Sequence, residues 1–409
     1  MQTKVQKKPR FWLFNVFVAL FIFTTINREF VLFGLDLRYP TIILGLVLVV
    51  LSIFRKPAEN EAETERVRTV FVPLYAFFTW CFVSNISWLW NGLTPEPVQA
   101  VNQNILLFSN FLALTVFYLY RNFISKRTIN QIMVLSCLVL VFSFAMTLFG
   151  FEMADISGST GARSISVTTS RGEFKNVYGQ NFRLAGYAED ANYASVFLVL
   201  GAIAALKLEK RKFFKIALVI IFLIALGYAS SRTVFFSLAF GLVYQVIFML
   251  IKDNAKYRKI LNLVFICVIP AMMILLPRLG LMNNLNTMST RYMLWGIAEQ
   301  TFVHSPVIGN GISSARSAIN AEHPGWYVQP HSNYWQLLAE TGVIGLIIFM
   351  FAMYRCLEYD KDDKYSALPI IIMIVFGLTF EIIQLQIFIF VAFLNLMGSP
   401  DDEKRPLSS

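Results

Sequence analysis

The sequence predicts an all-α, polytopic membrane protein with about twelve transmembrane helices. Three observations predict it. Of the 409 residues, 56% are hydrophobic and only 15% are charged, and phenylalanine occurs 39 times, as lipid-facing helices allow. The mean hydropathy is +0.59. The apolar residues are also gathered into runs that reach or approach the roughly 20 residues needed to cross a bilayer.

The runs lie at 11–32, 39–54, 69–90, 102–120, 129–149, 191–206, 214–230, 233–251, 260–277, 342–357, 367–381 and 384–398. The first follows Lys4, Lys7, Lys8 and Arg10, the charge pattern of a signal peptide. A small-residue cleavage site is missing, and Asn27-Arg28-Glu29 stands where one would fall, so the run reads as a retained helix. The chain shows no internal repeat and no soluble appendage, which makes residues 1–409 one integral membrane domain. The tail at 399–409 is polar and predicted to be disordered. Cys81, Cys137, Cys267 and Cys356 lie far apart, within or at the ends of apolar runs. Neither a disulfide framework nor a cysteine zinc site is expected.

The net charge of +10 reads as membrane orientation rather than nucleic-acid binding. Basic clusters at Arg55/Lys56/Arg66/Arg68, Arg121/Lys126/Arg127, Lys207/Lys210/Arg211/Lys212/Lys215, Lys252/Lys256/Arg258/Lys259 and Arg355/Lys361/Lys364 recur on one side. That side is the cytoplasm by the positive-inside rule, and both termini lie there. On the opposite side the one lysine is Lys175, whereas Arg28, Arg38, Arg163, Arg171, Arg183, Arg232, Arg278, Arg291 and Arg316 all fall there. Guanidinium grips phosphate or carboxylate with two parallel hydrogen bonds, which lysine cannot do. The bias points to an anionic ligand on that side, against the plainer reading of topology bias with local ion pairs. Two long outer loops are expected, at about 150–190 and about 278–341. The second has apolar and aromatic residues at helical spacing (Tyr292, Trp295, Ile297) and is expected to fold.

All three histidines, His304, His323 and His331, lie in that second loop. Their spacings fit no zinc signature. Asp360-Lys361-Asp362 has the DxD pattern of nucleotide-sugar transferases but sits in a short, charged cytoplasmic loop and reads as a solvated charge run. Neither a Walker A nor a GxSxG motif occurs. The stretch HSNYWQLLAETGVIG at 331–345, read as a helix, puts His331, Tyr334, Trp335 and Leu338 on one face, beside a stripe of Asn333, Leu337 and Glu340. Its bland reading is an interfacial aromatic anchor. Gly342 and Gly345 would let backbones approach closely. Arg232 falls between two apolar runs with almost no loop, so it is expected to face a protein-lined polar cavity. Arg183 precedes the run at 191, where Asp190 or Asn192 would cap the helix. Arg291 opens the amphipathic stretch 291–297.

The stretches RLAGYAEDANYAS at 183–195, SSRTVFF at 230–236, RYMLWGIAEQTFVHSPVIGNGI at 291–312 and HSNYWQLLAETGVIG at 331–345 occur in an order that resembles the O-antigen ligase and polymerase superfamily. That pattern has an Arg–Gly segment before an Asp–Pro–Asn-like turn and an arginine in a small-residue turn. An Arg-x-x-x-Trp helix then leads to a Pro-x-x-Gly-x-Gly turn, and a His–(Asn/Ser) with Glu-x-Gly-x-x-Gly closes it. Ala191 departs from the usual proline and Ser332 from the common asparagine; neither change removes a chemical group. The N-terminal half agrees in hydropathy alone.

The resemblance implies a fold related to the multi-span, lipid-donor glycosyltransferases. It implies an active site on the periplasmic face of the bacterial inner membrane and a glycan donor on undecaprenyl diphosphate, with no metal or other cofactor. Arg232 and Arg291, with Arg183 third, would stabilise the departing diphosphate. His331 would activate the acceptor hydroxyl or contact the diphosphate. Asn333, Glu340 and Tyr334 would support or bind substrate. The acceptor would be lipid A–core for a ligase, which is the favoured reading, or a lipid-linked repeat unit for a polymerase. Transfer to protein usually goes with extra C-terminal sequence, and a polysaccharide transporter usually has repeated halves.

Overall fold

The computed structural model describes residues 12–28, 30–32, 35–54, 61–90, 97–149, 184–188, 190–208, 211–251, 254–278, 289–326, 328–359 and 367–380. The helices are α1 (Trp12–Ile26), α2 (Arg38–Phe54), α3 (Glu61–Ser84), α4 (Pro97–Tyr120), α5 (Lys126–Leu148), α6 (Ala191–Leu206) and α7 (Lys212–Ala229). They continue with α8 (Arg232–Ile251), α9 (Ala255–Arg278), α10 (Ser289–His304), α11 (Ser314–Glu322), α12 (Asn333–Tyr359) and α13 (Ala367–Phe376). A small antiparallel hairpin joins α1 to α2, with Val31 opposite Asp36.

Each of the first eleven apolar runs holds a helix. Six helical spans are long and apolar enough to cross a membrane: 67–89, 100–120, 126–148, 212–229, 232–251 and 333–358. The apolar helices α1, α2, α6 and α13 are shorter. The protein is therefore a helical, multi-pass membrane protein. One run differs from expectation. The run 11–32 stops being helical at Ile26, because Asn27 turns its side chain to the Ser136 carbonyl (3.1 Å) and its own carbonyl accepts from the Phe30 N–H. The run 342–357 is preceded directly by a short helix from Asn333, and the two together are α12. The run 384–398, most of the loop 150–190, Asp360-Lys361-Asp362 and the tail 399–409 lie outside the described residues. Of the segment 278–341, the described residues 289–326 and 328–341 include α10 and α11.

The chain divides into two compact units: residues 1–57, 115–238 and 397–409, and residues 58–114 and 239–396. In the first unit, Phe14, Phe17 and Phe21 of α1 pack their rings on Phe117. Tyr120 donates to the Leu48 carbonyl (2.7 Å). Helix α6 is apolar all round and buried along nearly its whole length, which marks it as a central helix. Gly201 lets it approach Cys137 of α5. Helix α7 buries Leu218, Phe222, Ala225 and Leu226 while Ile216, Ile220, Leu223 and Ile224 stay exposed. Exposed aliphatic side chains of this kind suit lipid, where van der Waals packing holds helices together.

In the second unit, α12 packs along α3. Phe77 meets Phe349 at 5.3 Å, and Arg355 donates to the Thr69 carbonyl at 3.2 Å. Helix α10 lies against α12 and carries α11 on a cluster of Leu294, Ile297, Ala318 and Ile319. A polar chain from Tyr244 through Asn262 to Glu358 ties α8, α9 and α12 together.

Candidate functional site

Helix α12 is broken. At Gly342 the backbone turns to φ 68°, ψ −172°, which divides it into a nine-residue helix and a second one from Val343. A break leaves carbonyls above it and N–H groups below it without helical partners, and inside a membrane each must be satisfied by protein. The turn after α10 does this. Asn310 N–H and Nδ2 donate to the Ala339 carbonyl (2.9 and 3.1 Å), and Gly311 N–H donates to the Glu340 carbonyl (2.9 Å). Val343 N–H returns a bond to the Pro306 carbonyl (2.9 Å). Trp80 Nε1 takes the Thr341 carbonyl (2.8 Å). Gly309 and Gly311 hold φ near +88°, a conformation cheap only for glycine. A Cβ at Gly309 would strike the Glu340–Thr341 peptide, and one at Gly342 would strike the Val307 carbonyl. The stretches SPVIGNG and ETGVIG, far apart in sequence, are thus the two halves of one joint.

His331 stands just ahead of this broken helix and is not part of it. Ser332 is the cap: its carbonyl accepts from Gln336 N–H (3.0 Å) and its hydroxyl from Trp335 N–H (3.4 Å). The shared helical face expected for His331, Tyr334 and Trp335 is therefore corrected. His331 has φ 53°, a left-handed conformation unusual for a side-chain-bearing residue. Such strain persists where surroundings enforce it, often at functional positions. Here the enforcing contact is the end of α13. Asn333 N–H donates to the Gly377 and Phe380 carbonyls (2.8 and 3.1 Å). Phe380 stacks on Phe376 at 4.9 Å. Its ring also meets the His331 imidazole at 6.0 Å and the Arg291 guanidinium at 5.4 Å. Phe380 brings the imidazole and the guanidinium to one aromatic ring.

The other expected residues divide. Tyr334 is 1% exposed and donates to the Ile374 carbonyl (2.7 Å), so it is a strut between α12 and α13 rather than a residue facing a ligand. Asn333 and Glu340 are buried, and Glu340 accepts from Gln336 Nε2 (3.2 Å). Gln336 is fully buried, and its Oε1 has no partner among the described residues; the same holds for the Trp295 and Trp335 indole N–H groups. Buried polar atoms left unpaired call for water or a ligand. Burial raises the Tyr292 phenol above its ordinary pKa.

Arg232 belongs to the first unit. Asp190 caps α6 by accepting from Asn192 N–H (2.6 Å), and Asn192 Oδ1 accepts from the Ser231 hydroxyl (2.9 Å). Ser230 closes α7 in the left-handed conformation, which leaves Arg232 as the first residue of α8. Arg232 is exposed and follows a two-residue turn between α7 and α8. A cation at a helix N-terminus opposes the helix dipole, so this placement does not serve the helix. Arg183 lies outside the described residues. The three histidines go to separate neighbours: His304 to the Gln300 carbonyl, His323 to Trp326 and His331 to Phe380. Among the described residues, no three His, Cys, Asp or Glu side chains gather as a metal site would require.

Residues 192–350 match the family model described as O-antigen ligase. Over that stretch the chain is similar to the O-antigen ligase superfamily. Two rickettsial proteins are similar over short stretches. The chain is 28% identical over 86 residues to a "Putative polysaccharide ligase" of Rickettsia felis, covering 19% of this chain and 21% of that protein. It is 27% identical over 78 residues to a protein of the same description from Rickettsia conorii, covering 17% and 19%. The matched stretch thus spans about a fifth of these relatives' length. The O-antigen ligase match takes in Arg232, Arg291, the glycine turn, His331 and the break in α12. It stops short of Phe380 and excludes Trp80. Neither gave a sequence signal, because each sits in an ordinary apolar run. Gln336 lay within a singled-out stretch but looked like one more polar residue at a helix start.

Proposed function

We propose that this protein is a member of the O-antigen ligase superfamily and a ligase-type glycosyltransferase. It moves a glycan from undecaprenyl diphosphate to an acceptor sugar of lipid A–core at the periplasmic face of the inner membrane. The observation that carries the reading is the meeting of His331 and Arg291 at Phe380, at the head of a broken helix. An acceptor hydroxyl attacks the anomeric carbon, its proton passes to the His331 imidazole, and the bond from that carbon to the diphosphate oxygen breaks. Charge then grows on the diphosphate, where a fixed guanidinium favours the transition state over the ground state. Arg291 supplies that group. It stands in the first turn of a helix, where backbone N–H groups add to anion binding. Glu340 and Gln336 hold the polar wall of the short helix behind His331. The chemistry calls on no metal or nucleotide cofactor.

The test is a gel of surface glycans from a host lacking the gene, complemented with the wild-type chain or with His331→Ala. Long chains that accumulate on the lipid carrier but never reach lipid A, in the deletion and in His331→Ala alike, support a ligase. Single repeat units attached in place of a ladder would convert the assignment to a polymerase. A normal ladder in the deletion strain would sink both and return a transporter to consideration.

A further inference from the structure

Helix α11 ends at Glu322, and the four residues after it form a tightly tied turn. His323 N–H donates to the Ile319 carbonyl (2.8 Å), Trp326 N–H to the His323 carbonyl (3.0 Å) and Gly325 N–H to Asn320 Oδ1 (2.9 Å). Gly325 has φ +89°, so the turn requires glycine there. The turn sets the His323 and Trp326 rings side by side, 5.2 Å apart and inclined by 34°. Downstream, Val328 packs on the cluster of Leu294, Ile297, Ala318 and Ile319. The turn is therefore anchored at both ends to the α10–α11 body, yet Trp326 is 43% exposed. A tryptophan held this rigidly without filling a core forgoes the burial that would normally stabilise it.

We infer that the Trp326–His323 turn is a carbohydrate platform, a pyranose subsite for the glycan that the His331 site processes. The inference rests on the glycosyltransferase reading for its choice of ligand. A pyranose ring offers a face of C–H groups to an indole and a rim of hydroxyls to polar neighbours. Beside Trp326 stands the His323 imidazole, and exposed Glu322 precedes it in the same turn. Inserting the turn into lipid would draw the Glu322 charge with it at considerable cost. From Trp326 the chain reaches His331 in five residues, at most about 17 Å when fully extended. A short oligosaccharide lying on the ring could place its end at the imidazole.

The experiment uses the full chain in nanodiscs. The probe is the surface polysaccharide of the source bacterium, released from lipid by mild acid. Hydroxyl-radical footprinting read by mass spectrometry reports oxidation of Trp326 with and without it. Protection of Trp326 by the polysaccharide is expected. In the transfer assay, Trp326→Ala should raise KM for the glycan roughly tenfold, the scale of ring stacking on an aromatic side chain, and Trp326→Phe should restore most of it. Unchanged oxidation at saturating polysaccharide, or an unchanged KM in Trp326→Ala, would overturn the platform while leaving the proposed reaction intact. Protection that appears in nanodiscs without polysaccharide and vanishes in detergent would overturn it in favour of a membrane anchor. If the wild-type chain transfers nothing, the proposed reaction fails, and the footprint still decides the platform by itself.

Discussion

At the scale of single residues, His331 separates stability from chemistry. Its φ of 53° costs an L-residue about 1–2 kcal/mol that glycine would not spend. His331→Gly should therefore unfold at an equal or higher temperature than wild type in detergent while losing transfer, by on the order of 10²–10⁴ if the imidazole is the base. A His331→Gly chain that was both unstable and inactive would point to a packing role instead. Arg291 lies over the Phe380 ring, and a planar guanidinium uses that face better than an ammonium does. Arg291→Lys should cost on the order of 10² in turnover with little change in the unfolding midpoint; turnover within a factor of two of wild type would remove Arg291 from the chemistry. Asp36 allows a test of pH. Burial pushes its carboxyl up, but the hydrogen bonds and charge of Arg38, together with the charge of Arg28, outweigh this and hold it below the ordinary 3.8. A lowered folded value adds stability above the ordinary value, and that stability is lost as pH falls through the lowered one. Asp36→Asn should thus flatten the acid limb of a thermal-unfolding profile below about pH 4 and lower stability at neutral pH.

At the scale of elements, the joint between the α10–α11 turn and the break in α12 is the feature with the most consequence. Gly309 and Gly342 each take a left-handed conformation and each touch the backbone of the other segment. Alanine at either costs about 1–2 kcal/mol for conformation alone, and more for the collision. Because both substitutions open the same joint, Gly309→Ala combined with Gly342→Ala should destabilise by clearly less than the sum of the two singles. A thermal double-mutant cycle in detergent measures this, and strict additivity would mean that the two segments do not work as a unit. The joint sets where the short helix Asn333–Thr341 points, and with it His331 at its head. Neither motif discloses this alone, since the bonds that join them run between residues about thirty apart in the chain.

At the scale of the whole molecule, the positive-inside charge pattern of the sequence predicts that Lys212 is cytoplasmic, and the proposed site predicts that Glu322 is periplasmic. In a cysteine-free background, a membrane-impermeant maleimide should label Glu322→Cys in intact spheroplasts and Lys212→Cys only after lysis. The reverse pattern would invert the topology and remove the periplasmic assignment. The sequence by itself determined the helical membrane class and the position of nearly every apolar helix, because lipid demands long apolar runs whose backbone bonds are all local. It also singled out His331, Arg291 and Arg232, because charged and polar groups stand out in an apolar chain. Only the tertiary structure decided that His331 precedes its helix rather than riding on it, that Tyr334 is a strut, and that Arg232 is exposed. It alone brought Phe380 under both His331 and Arg291. These depend on which carbonyls and rings meet across the fold, and contacts of that kind leave no periodic trace in a chain where phenylalanine and glycine are common.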